Sequence, residues 1–391
     1  MKLLKRSWAD ISLDNLAHNY TLLRGNVPSS CKFLGVVKAD AYGHGAVPIS
    51  HYLRDLGANY LAVSNIEEAL QLRRGEIRLP ILILGYTPAV YAEDLVDMNL
   101  RQEVHSIEYA QQLEAQLEGT ELVLPIHIKL DTGMSRLGFF AYDCEKTLDE
   151  LKTVASLPHL RIEGVFMHFP VADSRIKEHE DFTKLQYQRF LSMLNSMKGL
   201  GIEPELRHCC NSAASIIYPE YALDMIRPGI ATYGIIPSDE LAGAMDLRPL
   251  MSLHTSVSQI RTFAPDISVS YGRTYTTPET RKIAVLTIGY ADGLNRSFSN
   301  QISFLLHGKR VPVVGRICMD MCMVDITEVE NVKVGDKVTI FGTNGGETIG
   351  VEELSDALGT IPYEVLCGIN KRIPRIYLDG KNRMEVLQYI V

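Results

Sequence analysis

The chain has 391 residues, 46% of them hydrophobic and 22% charged, enough for two domains, or one large one with an appendage, around a core that needs no staples. A formal charge of −8 favours solubility and argues against a nucleic-acid partner, since no basic run exceeds a few residues. No apolar stretch reaches the length of a membrane span, and Met1 to Trp8 has no apolar run behind it, so the expected place is the cytoplasm, with no membrane contact.

Ser7 to Leu13 reads as a short strand. Leu13 to Arg24 reads as an amphipathic helix with Leu16, Tyr20 and Leu23 on one face. From residue 33 a rhythm sets in, with strand candidates at 33–37, 60–63, 81–84, 102–105, 126–130, 162–166, 205–208 and 224–227. Helical patterns such as Ile66 to Arg74, Ile107 to Leu117 and Phe182 to Met197 fill most gaps. Strands alternating with helices predict a parallel sheet, and the count fits a closed (β/α)8 barrel. A doubly wound open sheet is the alternative, but Gly43-His44-Gly45 lacks the third glycine of its fingerprint.

Beyond about residue 240 the texture changes to β-type runs at 252–262, 282–290, 302–306, 310–316, 322–326 and 336–341, separated by turn signals. The α/β barrel of 12–240 is thus followed by a mostly β C-terminal domain, 241–391 together with 1–11. Gly342 to Gly350 reads as a hairpin loop rather than a phosphate cradle.

The ends of the barrel strands collect polar residues. The first run, Phe33 to Val37, reads as a buried strand that ends at Lys38. Burial there would disfavour the ammonium and make a nucleophilic amine available for a Schiff base with a cofactor aldehyde. A lysine snorkelling to solvent is the plainer reading, yet Tyr42, Gly43 and Gly45 beside it suit an anionic group. Strand five ends in Lys129 to Gly138, strand six at Met167-His168, strand seven at Asn211-Ser212 and strand eight at Arg227-Pro228-Gly229-Ile230. Asn211-Ser212 before a helical Ala-Ala-Ser offers a hydroxyl and amides to phosphate, with Gly229 allowing close approach. The plainer role for Ser212 is a helix N-cap. Seven scattered cysteines suggest no disulfide framework, and His208-Cys209-Cys210 lacks the spacing of a metal site, so no metal is expected.

The segment Val37-Lys38-Ala39-Asp40-Ala41-Tyr42-Gly43-His44-Gly45 closely resembles the pyridoxal-phosphate attachment motif of the alanine racemase family, and the resemblance runs to about Tyr377. It implies that Lys38 carries pyridoxal 5'-phosphate and is one of two catalytic bases. It implies that Tyr42, Ser212, Gly229, Ile230 and Tyr363 hold the cofactor phosphate. Arg227, in a matching Arg-Pro-Gly, faces the pyridine nitrogen; an arginine cannot accept that proton, so the ring is a weaker electron sink than one paired with a carboxylate. The second base is Tyr271, reaching the active site of the other subunit of a homodimer, with His168 beside Arg227 expected to supply a positive field. Without the resemblance, Tyr271 reads as a strand tyrosine and Arg136 as a surface ion-pair residue. With it, Arg136 and, from the other subunit, the amide of Met319 grip the substrate carboxylate, and Lys129 matches a position that several members carbamylate. Met321 stands where the family usually has glutamine, and Pro362 is a further departure. The N-terminal strand is expected to pair with the β domain.

These features imply interconversion of L- and D-alanine for peptidoglycan precursors. A serine or broad-specificity racemase on the same scaffold is the alternative, with Tyr363 limiting the side-chain pocket. A barrel-type decarboxylase would want an acid where Arg227 stands. A non-catalytic pyridoxal-phosphate carrier would lack the β domain.

Overall fold

Eight parallel strands form an almost closed ring in the computed structural model, which describes residues 6–380 and 382–390. They are Lys32–Val36, Tyr60–Val63, Ile81–Ile83, Leu100–Val104, Leu124–Asp131, Leu160–Phe166, Leu206–His208 and Met225–Ile226. Each of the first six pairs with its successor, and the eighth pairs with the first through Met225↔Lys32 and Ile226↔Phe33. Between the seventh and eighth, Asp224 N–H bonds Arg207 O (3.0 Å) and Arg227 N–H bonds Cys210 O (2.9 Å). Helices cover the outer face, so Tyr60–Val63 and Ile81–Ile83 are buried throughout and read as apolar runs rather than alternations. The barrel expectation holds. The eighth strand is only two residues long, because Pro228, which has no N–H, follows Arg227. The helix expected from Phe182 begins earlier, at Lys177.

The chain divides into two units, one of Leu16–Ala41 and Ala46–Arg248, the other of Met1–Asn15, Tyr42–Gly45 and Pro249–Val391. In the second, the long strand Met251–Phe263 pairs antiparallel with Ser7–Ser12, Arg281–Leu286 and Lys337–Asn344. Ser7–Ser12 also pairs in parallel with Arg375–Asp379, so the N-terminal strand does belong to the β sheet. Lys337–Asn344 and Glu347–Ile349 form the expected hairpin. Two of the expected β runs are cut short: 282–290 ends at Leu286 before a 3-10 turn, Tyr290–Asp292, and 310–316 is a strand only to Pro312. Two helices, Val351–Leu358 and Pro362–Cys367, complete this unit.

One local feature departs from every sequence expectation. Val37 ends the first buried run, and the turn Lys38–Tyr42 that follows winds left-handed, with φ of 50°, 54°, 54° and 52° at Ala39, Asp40, Ala41 and Tyr42. Four consecutive non-glycine residues in that region are costly, at about 1–2 kcal/mol each. The flanking structure holds them. Asp40 Oδ1 accepts from Ala46 N–H (2.8 Å), and Ala39 N–H donates to Glu68 Oε1 (2.7 Å). Past Tyr42, Gly43 O accepts from Arg375 Nε (2.9 Å) and His44 O from the Tyr377 hydroxyl (2.7 Å). Gly43 (φ 81°) must be glycine, because a Cβ would lie 2.3 Å from Leu366 O.

Candidate active site

The carboxyl ends of the barrel strands gather Lys38, Lys129, Arg136, His168, Ser212 and Arg227. Parallel strands bring these ends together whatever their separation in sequence. Arg227 is the best fixed of them. Its Nη1 lies 3.0 Å from His208 Nδ1, and its Nη2 donates to Met167 O (2.7 Å) and Cys209 O (3.2 Å) and lies 3.4 Å from His168 Nδ1. Among the described residues its Nε makes no hydrogen bond, so that N–H is left over. Arg227 is buried, and burial lowers its pKa to about 10, still far above neutrality.

Phe166 is the platform beneath these cations. Lys129 Nζ sits 4.5 Å and Arg227 Cζ 5.3 Å from its ring centre, and His208 stacks on it at 5.0 Å. Lys129 is buried; burial first, then Arg227, lowers its pKa to about 7. Burial and the neighbouring Lys129 and Arg227 push His168 well below the usual imidazole range. His168 is therefore neutral, which corrects the expectation that it supplies positive field: that charge belongs to Arg227. Lys38 is half-buried rather than enclosed in a dry interior. Arg136 follows a turn organised by Asp131, whose Oδ1 accepts from Gly133 N–H (2.9 Å) and Ser135 N–H (3.0 Å), and its side chain is exposed.

The helix cap after strand seven falls on Asn211, not Ser212. Asn211 Oδ1 accepts from Ala214 N–H (3.0 Å) and its Nδ2 donates to Phe169 O (3.1 Å), so both ends of that amide are engaged. Ser212 Oγ instead accepts from Gly229 N–H (2.8 Å) and Ala231 N–H (3.3 Å). Among the described residues its own proton meets no acceptor, which leaves it available to an anion next to the start of the turn Ile230–Tyr233. In the β unit the rings of Tyr42 and Tyr363 pack edge to face, centroids 5.9 Å apart. Tyr271 and Met319 are 71% and 54% exposed there. Ser270 (φ 67°) turns the chain ahead of Tyr271, its Oγ donating to Arg316 O (2.6 Å). Asp320 is held by Arg372 at 2.8 Å.

The donor set fits pyridoxal phosphate. A hydroxyl with a spare proton suits its phosphate, a guanidinium with a spare N–H suits an unprotonated ring nitrogen, and a lysine stands at the first strand's end for its aldehyde. Among the described residues no group of three acidic, histidine or cysteine side chains is arranged to hold a metal, and no helix is long and apolar enough to cross a membrane.

Sequence reasoning missed His127, His208 and Glu163. His208 drew notice only as a poor metal ligand. The available signal was spacing, since His127 lies two residues before Lys129 and so shares its face of the strand.

The family model described as alanine racemase, N-terminal domain, matches residues 11–237, and that for the C-terminal domain matches 250–377. The alanine racemase of Clostridium tetani is 42% identical over 391 residues, covering 100% of both chains. That of Desulfosudis oleivorans is 43% identical over 383 residues, covering 96% of this chain and 97% of its own. Among solved structures, alanine racemase of Clostridium difficile superposes with a TM-score of 0.94 at 37% identity, covering 100% of both chains. The Bacillus anthracis alanine racemase with bound L-Ala-P gives 0.92 at 35% identity, covering 100% of this chain and 99% of that one.

Proposed function

The chain belongs to the alanine racemase family, and from that premise we propose that it interconverts L- and D-alanine with pyridoxal 5'-phosphate, using Lys38 and the Tyr271 of a second subunit as its two proton carriers. The observation that carries this reading is Arg227, a buried guanidinium whose Nε bonds to none of the described residues, where a decarboxylase would need an acid. When bound, the cofactor supplies an electron sink that acidifies the Cα proton. Arg227, able only to donate, leaves the ring nitrogen unprotonated and so favours return of the proton to Cα. His168 stands beside Arg227, its Nδ1 3.4 Å from Nη2. Ser212, Gly229, Ile230, Tyr42 and Tyr363 hold the phosphate, with Asn211 bracing the helix behind Ser212. Arg136 and the Met319 amide hold the substrate carboxylate.

Lys38 moves the Cα proton on one face and Tyr271 on the other. The exposure of Tyr271 and Met319 on their own protomer supports delivery to the site of a partner in a homodimer. The barrel binds the cofactor, and the β domain completes the partner's site. Lys129 forms a carbamate: its neutral Nζ attacks carbon dioxide, an N–C bond forms and a proton is released, giving an anion that orients Arg136. The product D-alanine supplies peptidoglycan synthesis in the cytoplasm.

The test is incubation of the purified protein and cofactor with L-alanine in D2O. D- and L-alanine are expected to reach equal amounts with deuterium at Cα, and L-serine to turn over more slowly. Cofactor-loaded protein that leaves L-alanine unchanged would end this reading.

A further inference from the structure

Behind Arg227 a line of polar side chains crosses the barrel interior. Beyond the 3.0 Å contact of Arg227 Nη1 with His208 Nδ1, His208 Nε2 lies 2.9 Å from His127 Nδ1. His127 Nε2 then faces Glu163 Oε1 at 3.6 Å, longer than a hydrogen bond. All four side chains are buried.

The two ends of the line dictate its protons. A guanidinium only donates, so His208 Nδ1 accepts. Neutral His208 then carries its hydrogen on Nε2 and donates it to His127 Nδ1. His127 in turn carries its hydrogen on Nε2, pointing at a carboxylate. Burial opposes charging either ring, and Arg227 adds to that opposition. Every N–H along the line therefore points away from Arg227 and towards Glu163.

Glu163 reaches the interior through a β-bulge. Ile126 pairs with Ile162 but His127 pairs with Gly164, so Glu163 is the extra residue, and a bulge re-aims a side chain. Gly164 leaves room for the ring, since a Cβ there would lie 2.4 Å from His127 Nδ1. The carboxylate is clamped by Arg101 Nε (2.9 Å), Arg161 Nη2 (2.7 Å) and the Tyr60 hydroxyl (3.0 Å).

We propose that Glu163 is a positioning residue for the racemisation: through the aligned N–H groups of His127 and His208 it holds Arg227 with Nη1 occupied and Nε turned to the cofactor ring. This rests on the reading that Arg227 faces the ring nitrogen. Arg101 and Arg161 pair the charge of Glu163, so what its carboxylate gives the line is a fixed acceptor at the far end, towards which the N–H dipoles run. Without it the Nε2–H of His127 faces no carboxylate, the line is held from the Arg227 end alone, and the guanidinium is positioned less firmly.

Neutron diffraction from crystals of the deuterated holoenzyme reads the protons directly. Deuterium is expected on His208 Nε2 and His127 Nε2, and none on His208 Nδ1. In Glu163→Gln, kcat for alanine is expected to fall roughly tenfold with KM little changed, and the cofactor absorbance maximum to move. Should that variant not fold, His127→Asn tests the same line, because it keeps an acceptor for His208 but cannot reach Glu163. The same loss of kcat is expected. Deuterium on His208 Nδ1, or a Glu163→Gln enzyme with wild-type kcat and absorbance, overturns the proposal. Wild-type protein that racemises alanine with the wrong deuterium pattern removes the relay and leaves the activity. Protein that binds the cofactor without racemising alanine removes the activity.

Discussion

Lys129 and Arg227 share one aromatic platform, and that proximity dictates how each responds to pH. Burial and the neighbouring Arg227 lower the pKa of Lys129 to about 7 in the folded chain, against 10.5 for a free lysine side chain. Between those values the unfolded chain binds more protons, so the stability contributed by this residue rises as pH rises from about 7 towards 10.5. The gap in melting temperature between wild type and Lys129→Met should follow that trend; a gap independent of pH would contradict the assignment. A neutral amine near pH 7 is also the form that reacts with carbon dioxide. Native mass spectrometry in bicarbonate should find about 44 Da of added mass that Lys129→Met lacks. For Arg227, replacement by glutamate places an acceptor where the ring nitrogen would be protonated. Racemisation should fall by roughly 100-fold or more, with transamination to pyruvate appearing alongside it. Tyr271→Phe should retain cofactor absorbance while solvent deuterium enters Cα from only one enantiomer. Equal entry from both would remove the two-base assignment.

At the scale of the element, the turn after Lys38 is the segment most at odds with its own residues. Ala39 is exposed and sits at φ 50°, a conformation in which a Cβ is a liability. Ala39→Gly should therefore raise stability, by up to about 1 kcal/mol in denaturant unfolding. Gly43→Ala should lower it by about 2 kcal/mol or more, because both its φ and the Leu366 carbonyl oppose a side chain. Turn signals at Gly43 and Gly45 were legible beforehand, but nothing in Ala-Asp-Ala-Tyr prefers the left-handed region. Contacts in the folded chain, those of Ala39, Asp40, Gly43 and His44 among them, impose it.

For the molecule as a whole, the testable property is sharing of active sites. If Lys38 acts in its own subunit and Tyr271 in the other, mixing inactive Lys38→Ala and Tyr271→Phe proteins under conditions of subunit exchange creates heterodimers with one intact site. Activity should return to about a quarter of wild type at equal mixing. No recovery despite demonstrated exchange would place both groups on one chain. The exposed Tyr271, Met319 and Met321 of the β unit are the apolar side chains such a partner would cover.

By itself the sequence determined which residues are available for chemistry and roughly how the chain is layered. The strand–helix rhythm, the lysine with its glycine-rich follower and the Arg-Pro-Gly after the last strand are local patterns, so they were readable in order. Tertiary structure decided what those residues become. A parallel barrel brings His127, Glu163 and His208 into one line although separate strands carry them, and a one-residue bulge decides that Glu163 points inward. Burial among cations, which no spacing reveals, makes Lys129 a near-neutral amine and keeps His168 uncharged. Charge state and orientation depend on distance in space, and only the folded chain sets that distance.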